Sequence, residues 1–580
     1  MASTSRKVLQ GDELEEFLAH DSEVSEFEYS DSSENSDNEI EDQAVVDAIQ
    51  DLSIEDDDEI VARVPVADSD ESYFWQNMDN YDGVRERFSE NSGPRNQSVN
   101  VLDIVQTFLL FFTEDFVNNI VQETNTYAQQ FICGRVFPFR SPARQWVPVT
   151  LNEMYVVLAL FLLMGIVNKP TLNSYFSTKR LLYTPAFPDV ISRDRFQLIC
   201  KFLHFNDNTK KDNYLGPTRL FKIFPVIQHL NEKFQTLFYP GQNICIDESL
   251  TLWKGRLAFK MYLPLKASKF GIKTYELCDS KSGYLWSFIV YTGSETQLNS
   301  SLIRENTNKT TSVVLHLVEP LLHRGHTLWM DNYYNSPQLA KLLKNHGTDC
   351  VGTLRLNRKG VPTTVKNTKL RKGEIIAQHA GPITVLKWQD KKPVSVISTF
   401  HNADTQTDIK RNKEIKKPKI IIDYNEMMGG VDLKDQLLQY YNVERKRLHK
   451  WYMKLFRRLL NATVVNAMII YNKNQERLTD HLAFRVNLVE GLLLKFTDQE
   501  QAARRVQGRR HSSDNTIPRL RERHFISKIP PSGKKARPQR RCVVCTKNKR
   551  RKETVYWCSD CDVGLCIDQC FQDYHTKLNF

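Results

Sequence analysis

From about residue 100 the chain shows two hydrophobic periods in succession. "VLDIVQTFLLFFTEDFVNNIVQETNTYAQQ" repeats its apolar positions every three or four residues, which predicts one or two amphipathic helices. "TLNEMYVVLALFLLMGIV" predicts another, with Thr150 and Glu153 at capping-box spacing. Its apolar run, Tyr155 to Val167, is 13 residues, short of the ~18 needed to span a bilayer, so it reads as a buried helix. "SRDRFQLICKFLHFND" and "TRLFKIFPVIQHLNEKFQTLF" continue the helical period.

Near residue 242 the period shortens. "QNICIDESLTLW" reads as a strand, and "IKTYELCDSKSGYLWSFIVYTG" as a hairpin about Ser280 to Gly283. "SVVLHLVEPLL" is a helix, "HTLWMD" a strand, "SPQLAKLLKNHG" a helix ended by Gly347, and "DCVGTLRL" a further strand. Antiparallel strands followed by strand–helix–strand predict a mixed α/β sheet. Residues 357–418, with 14 Lys+Arg against 5 Asp+Glu, read as an interruption holding the strand pair "ITVLKWQDKKPVSVISTF". Helices resume at "GGVDLKDQLLQYY" and "KWYMKLFRRLLNATVVNAMIIYNK".

Charge divides the chain sharply. Residues 1–72 hold 24 Asp+Glu and 3 Lys+Arg, a local charge of −21, so the remainder carries +31 of the total +10. The acidic stretch is poor in large apolar residues and is expected to be disordered, with order beginning near Val99. A basic body points to a polyanionic partner. Residues 501–552 hold 18 Lys+Arg and 2 acids, which reads as a basic linker, and "KKARPQRR" (Lys534 to Arg541) suggests nuclear localisation. No secretory leader is visible, so disulfides are not expected.

Four aspartates stand out by context. Asp247 and Asp331 end apolar strands. Asp432 and Asp435 lie at i and i+3 early in a helix and so face one way. Carboxylates converging from two strand ends and a helix suit a pair of Mg²⁺ or Mn²⁺ ions. The same acids also suit turns and helix caps. Near Asp247, Lys266, Lys269 and Lys273 form a basic cluster suited to phosphate or to solvent. Trp451, between Lys450 and Lys454, suits base stacking or a core position.

Six of the 11 cysteines fall in the last 39 residues, as Cys542-x2-Cys545-x12-Cys558-x2-Cys561-x4-Cys566-x3-Cys570-x4-His575. This predicts zinc. The first four cysteines could close one site. A cross-braced pair of sites needs eight ligands, and seven are visible, so a further residue, an Asp or a water would complete the second. Such modules serve DNA binding, ubiquitin ligation or histone reading.

"ICIDESLTLWKGR", "MDNYYNSPQLAKLL", "VGTLRLNRKGVP", "DYNEMMGGVDLKDQ" and "YHTKLNF" together resemble the piggyBac-like DNA transposases, in the family's order, over about residues 100–580. The resemblance implies an RNase H-like α/β core at 242–356 and 419–441 with an insertion domain at 357–418. Around it would lie an all-α dimerisation and DNA-binding domain (99–241 and 442–500), a basic linker (501–540) and a zinc-binding domain (541–580), after an acidic region (1–98). It implies metal ligation by Asp247, Asp331 and Asp432 with Asp435 in support, and a stacking role on DNA for Trp451. It further implies a homodimer acting on double-stranded DNA ends and TTAA targets, in the nucleus and away from membranes. The other outcome the family allows is a domesticated DNA-binding or chromatin protein without catalysis.

Overall fold

The structure is a computed structural model and describes residues 73–577 apart from 138–140, 264–268, 411–412, 446–447, 449, 499–523 and 532–535. The acidic stretch to Ser72, most of the basic linker, Lys266 and the first two lysines of "KKARPQRR" lie outside the described residues. The chain divides into two compact units. One comprises the residues up to Cys133, Phe161–Ile166 and Leu203–Gly491; the other comprises Gly134–Leu160, Val167–Phe202 and the residues from Leu492 on.

The first unit is built on a ten-stranded mixed sheet. Its strands are β1 (Gln76–Asn77), β2 (Asn243–Leu252), β3 (Met261–Tyr262), β4 (Phe270–Asp279), β5 (Leu285–Val290), β6 (Thr327–Met330), β7 (Asp349–Thr353), β8 (Ile375–Ala380), β9 (Ile383–Gln389) and β10 (Pro393–Ser398). The order is β1-β8-β9-β10-β7-β6-β2-β4-β3, with β5 also on β4. β2, β6 and β7 run parallel, and the other pairings are antiparallel. The strand pair read as an interruption therefore extends the core sheet through β10 on β7. The reason is visible in β9, six of whose seven residues are buried, so it needs covering on both faces.

The helices of this unit include α1 (Glu114–Ile132), α2 (Phe224–Leu237), α3 (Lys309–Val318), α4 (Pro337–Asn345), α5 (Lys419–Met427), α6 (Gly430–Tyr440) and α7 (Trp451–Lys473). Three of these helices start on a side-chain cap. Thr113 accepts from Phe116 N at the start of α1, Asn308 from Thr311 N at α3, and Ser336 from Leu339 N at α4. In α7, 18 residues are buried, so this helix forms the centre of the helical layer. No helix among the described residues is long and apolar enough to cross a membrane.

Order begins earlier than Val99. Trp75 Nε1 donates to Gly360 O at 3.1 Å, Tyr81 Oη to Pro382 O at 2.9 Å, and Glu86 N to Asp349 Oδ2 at 2.6 Å. Arg85 reaches Asn243 Oδ1 and Thr327 Oγ1, the first residues of β2 and β6. Aromatic residues from Tyr73 to Phe88 supply the apolar area that the acidic stretch before them lacks. In the second unit, Thr150 and Glu153 form the expected capping box, with bonds of 3.2 and 3.3 Å.

Candidate functional site

The acids come first from strand register. Ile246 pairs with Met330 across the parallel strands β2 and β6. Asp247 is the next residue of β2, which continues to Leu252 rather than ending there as expected, and Asp331 is the first residue after β6. A buried Asn335 holds the turn after Asp331, donating to Met330 O at 2.9 Å, Asp331 O at 3.1 Å and Thr353 O at 3.0 Å. The adjacent strand yields to it at Gly352, where a Cβ would lie 1.8 Å from Met330 O.

Helix α6 is placed over the same face of β2. Cys245, Asp247 and Ser249 alternate onto that face. Gly430, at the start of α6, packs on Cys245, and Asp435 accepts from Ser249 Oγ at 2.8 Å. Asp432 lies between these two anchors in sequence and is exposed. The side chain of Asp331 is mostly buried. Burial, then the like charge of Glu248, pushes its carboxyl above the usual range. The donors are hard oxygens, and a desolvated carboxylate beside a like charge gains from a cation, so the set fits a divalent metal. Among the described residues, the sets of three or more ligand atoms within 4.8 Å of one another are the two in the C-terminal region, not these aspartates.

The supporting carboxylate has a different environment from that expected. Asp435 meets Lys434 Nζ and Arg458 Nη2, each at 2.6 Å, as well as Ser249. Burial alone would raise its carboxyl, but the two cations hold it down at about 2. Its lone pairs are taken by protein donors.

The C-terminal cysteines form two clusters, Cys542–Cys545–Cys566–Cys570 and His524–Cys558–Cys561–His575. This corrects the pairing in which the first four cysteines share one site, and it supplies the missing eighth ligand. The cause is strand pairing: Ile526 lies opposite Cys558, which carries His524 to the Cys558–Cys561 turn. Cys545 Sγ lies 3.9 Å from Cys566 Sγ and 3.6 Å from Cys570 Sγ. A tetrahedron with Zn–S of about 2.3 Å has edges near 3.8 Å, so the spacing fits zinc. His524 Nδ1 lies 3.5 and 3.6 Å from Cys558 and Cys561 Sγ, and His575 Nε2 3.7 Å from Cys561 Sγ. His575 Nδ1 donates to Phe571 O at 2.8 Å, which turns Nε2 inward. His524 went unrecognised because no Cys or His lies near it in sequence; the odd ligand count was the signal.

Comparison with known proteins then decides the family. The Transposase IS4 family profile matches residues 103–468, more than half of the chain, and takes in all four aspartates. The chain is a member of the piggyBac-type transposase family. A DDE_Tnp_1-like zinc-finger profile matches residues 521–576, which includes His524. Human PiggyBac transposable element-derived protein 3 is 26% identical over 485 residues, covering 81% of this chain and 75% of that protein. Human PiggyBac transposable element-derived protein 2 is 27% identical over 402 residues, covering 66% and 64%. A solved structure, a piggyBac transposase synaptic complex with hairpin DNA, superposes with a TM-score of 0.64 at 23% identity, over 83% of this chain and all of that one. At that identity the likeness is one of fold.

In this piggyBac-type chain the residues read as DNA contacts separate into two groups. Lys269 is exposed, and Trp451 is half-buried at the start of α7, edge-on to Phe259 at 5.2 Å. Lys450 lies over the Tyr127 ring at 5.4 Å. Lys273 and Lys454 are not the surface cations expected. Lys273 is buried, paired with Glu248 at 3.2 Å and flanked by the rings of Tyr275 and Tyr333. Lys454 is buried on the inner side of α7, and desolvation lowers its pKa. β4 is buried on both faces and α7 along most of its length, so both lysines are covered by what packs on those elements.

Proposed function

We propose that this chain is a divalent-metal-dependent DNA transposase of the cut-and-paste type. The observation that supports the reading is the parallel register of β2 and β6 that leads into Asp247 and Asp331, with α6, which carries Asp432, seated on β2. Asp247, Asp331 and Asp432 would hold a pair of Mg²⁺ or Mn²⁺ ions on an RNase H-like core. Such ions activate an attacking oxygen and stabilise a leaving one in phosphodiester chemistry.

The chain's own residues orient and exclude. Asn335 fixes the turn that aims Asp331, and the buried tyrosines around it keep water from one side. Trp451, at the start of α7, offers a ring for an unpaired base. Water and 3′-hydroxyls would serve as nucleophiles, with joining at TTAA and with hairpin formation on the element's end, the last in line with the hairpin DNA named for the solved relative. Residues 357–418 would be the insertion and the helices the dimerisation and DNA-binding body of a nuclear homodimer. The zinc module would read the element's end, and the linker cations would add salt-dependent affinity.

The test is plasmid excision of an element bounded by its own inverted repeats. The reading expects excision by the parent and none by Asp247→Ala, with end DNA still bound in a gel shift. Cys558→Ser should lower end binding and leave the first unit folded. End binding without excision by the parent would place the chain with domesticated, catalytically silent members.

A further inference from the structure

Asp435 lies at the centre of a set of charges with no role in the acid site itself. Lys434 is 1% exposed and pairs with both Asp435 and Glu276. Glu276, on β4, also accepts from Thr274 Oγ1 at 2.7 Å. Arg458, on α7, donates through Nη2 to Asp435 at 2.6 Å and to Ser249 at 2.5 Å, and through Nη1 to Glu444 at 3.2 Å. The chain of contacts thus ties β4, α6, β2 and α7 together.

Its position matters more than its strength. Helix α6 follows Gly429 and opens on Gly430, a pair with little backbone preference of its own. Contact at Gly430 alone would leave the helix able to turn about its start. Val431 and Leu438 are buried and Asn461 Nδ2 donates to Leu438 O at 3.0 Å; the charged set adds the attachment that bonds α6 to β2 and β4 next to Asp432. A buried ion network costs desolvation and adds little net stability; what it supplies is one arrangement among several.

We propose that Glu276, Lys434 and Arg458 are positioning residues that hold α6 at the height and rotation where Asp432 stands beside Asp247, with Asp435 as their strut rather than a metal ligand. The inference rests on the acid site proposed above. It also links α7, whose first residue is Trp451, to the acid-bearing helix through Arg458, so that a base stacked on that ring and the acid site share one rigid support.

The experiment uses the zinc-loaded full chain and Mn²⁺ alone, followed by electron paramagnetic resonance, with the metal-free melting temperature read in parallel. Asp247→Asn should lose the Mn²⁺ site, which tests the acid site by itself. The double variant Lys434→Met/Glu276→Met replaces the buried pair by apolar chains of similar size, and Arg458→Lys keeps the charge but not the fork. Both should melt close to the parent and bind Mn²⁺ about 10–100-fold more weakly, the usual effect of removing an outer support. If Asp247→Asn loses Mn²⁺ while both other variants bind it like the parent, the positioning role is overturned and the acid site stands. If Asp247→Asn binds like the parent, the acid site falls and the proposal with it. A double variant that no longer folds would make the pair a stability element and also overturn it.

Discussion

His524 Nδ1 lies 3.5 Å from Cys558 Sγ across 34 residues of sequence. That contact makes the C-terminal module a cross-brace of two four-ligand sites, with the strand before the first cysteine as part of it. A segment this small has too little apolar area to fold on packing alone, so metal binding and folding are coupled. The full chain is expected to bind two zinc ions by native mass spectrometry. His524→Ala should leave one, and so should Cys545→Ser through the other site. Two ions in His524→Ala would remove His524 from the ligand set.

Asp331 gives a pH prediction of definite sign. Burial, then Glu248, raises its folded pKa above the usual aspartate range. The folded state therefore holds its proton more tightly than the unfolded chain, and stability falls as pH rises through the interval above about 4. In EDTA, Asp331→Asn should melt higher than the parent at neutral pH, and the two should converge in acid. Added Mn²⁺ should raise the parent's melting temperature and leave the variant unmoved. A variant that melts lower at pH 7 in EDTA would contradict the assigned environment.

Asp435 has the opposite sign. Its carboxyl is held down at about 2 by Lys434 and Arg458 against the effect of burial. Its contribution to stability is complete above the ordinary carboxyl range and is lost as pH falls from about 4 towards 2. Asp435→Asn should cost about 1–3 kcal/mol at neutral pH, because Lys434 and Arg458 each lose one of two carboxylates and keep Glu276 and Glu444. Urea denaturation at pH 7 and pH 3 would show the parent approaching the variant at the lower pH. An equal gap at both would exclude the ion network as the cause.

Gly430 predicts a packing defect. A Cβ there would lie 2.6 Å from Cys245 Sγ and 2.9 Å from Asp279 O. Gly430→Ala should destabilise the fold by about 1–3 kcal/mol through overpacking and weaken Mn²⁺ binding by shifting α6. Cys245→Ala in the same chain should restore part of both. Melting temperature and Mn²⁺ titration of the single and double variants check it; no recovery in the double variant would locate the strain elsewhere.

Much of this protein follows from local pattern. The strand-end position of Asp331, the helix carrying Asp432 and the presence of a zinc module all follow from hydrophobic period and ligand spacing, which act over a few residues, whereas Asp247, expected at a strand end, lies within β2, which runs on to Leu252. What only the tertiary structure decided are the contacts made across long separations. Ser249 and Asp435 meet over 186 residues and His524 and Cys558 over 34. Lys273 and Lys454 read as surface cations in sequence, because a lysine's burial depends on which partner packs over it. Likewise, whether a carboxylate is a metal ligand or a strut depends on the cations placed against it. Asp432 and Asp435 share one helix face and one spacing, and α7 brings Arg458 to only one of them.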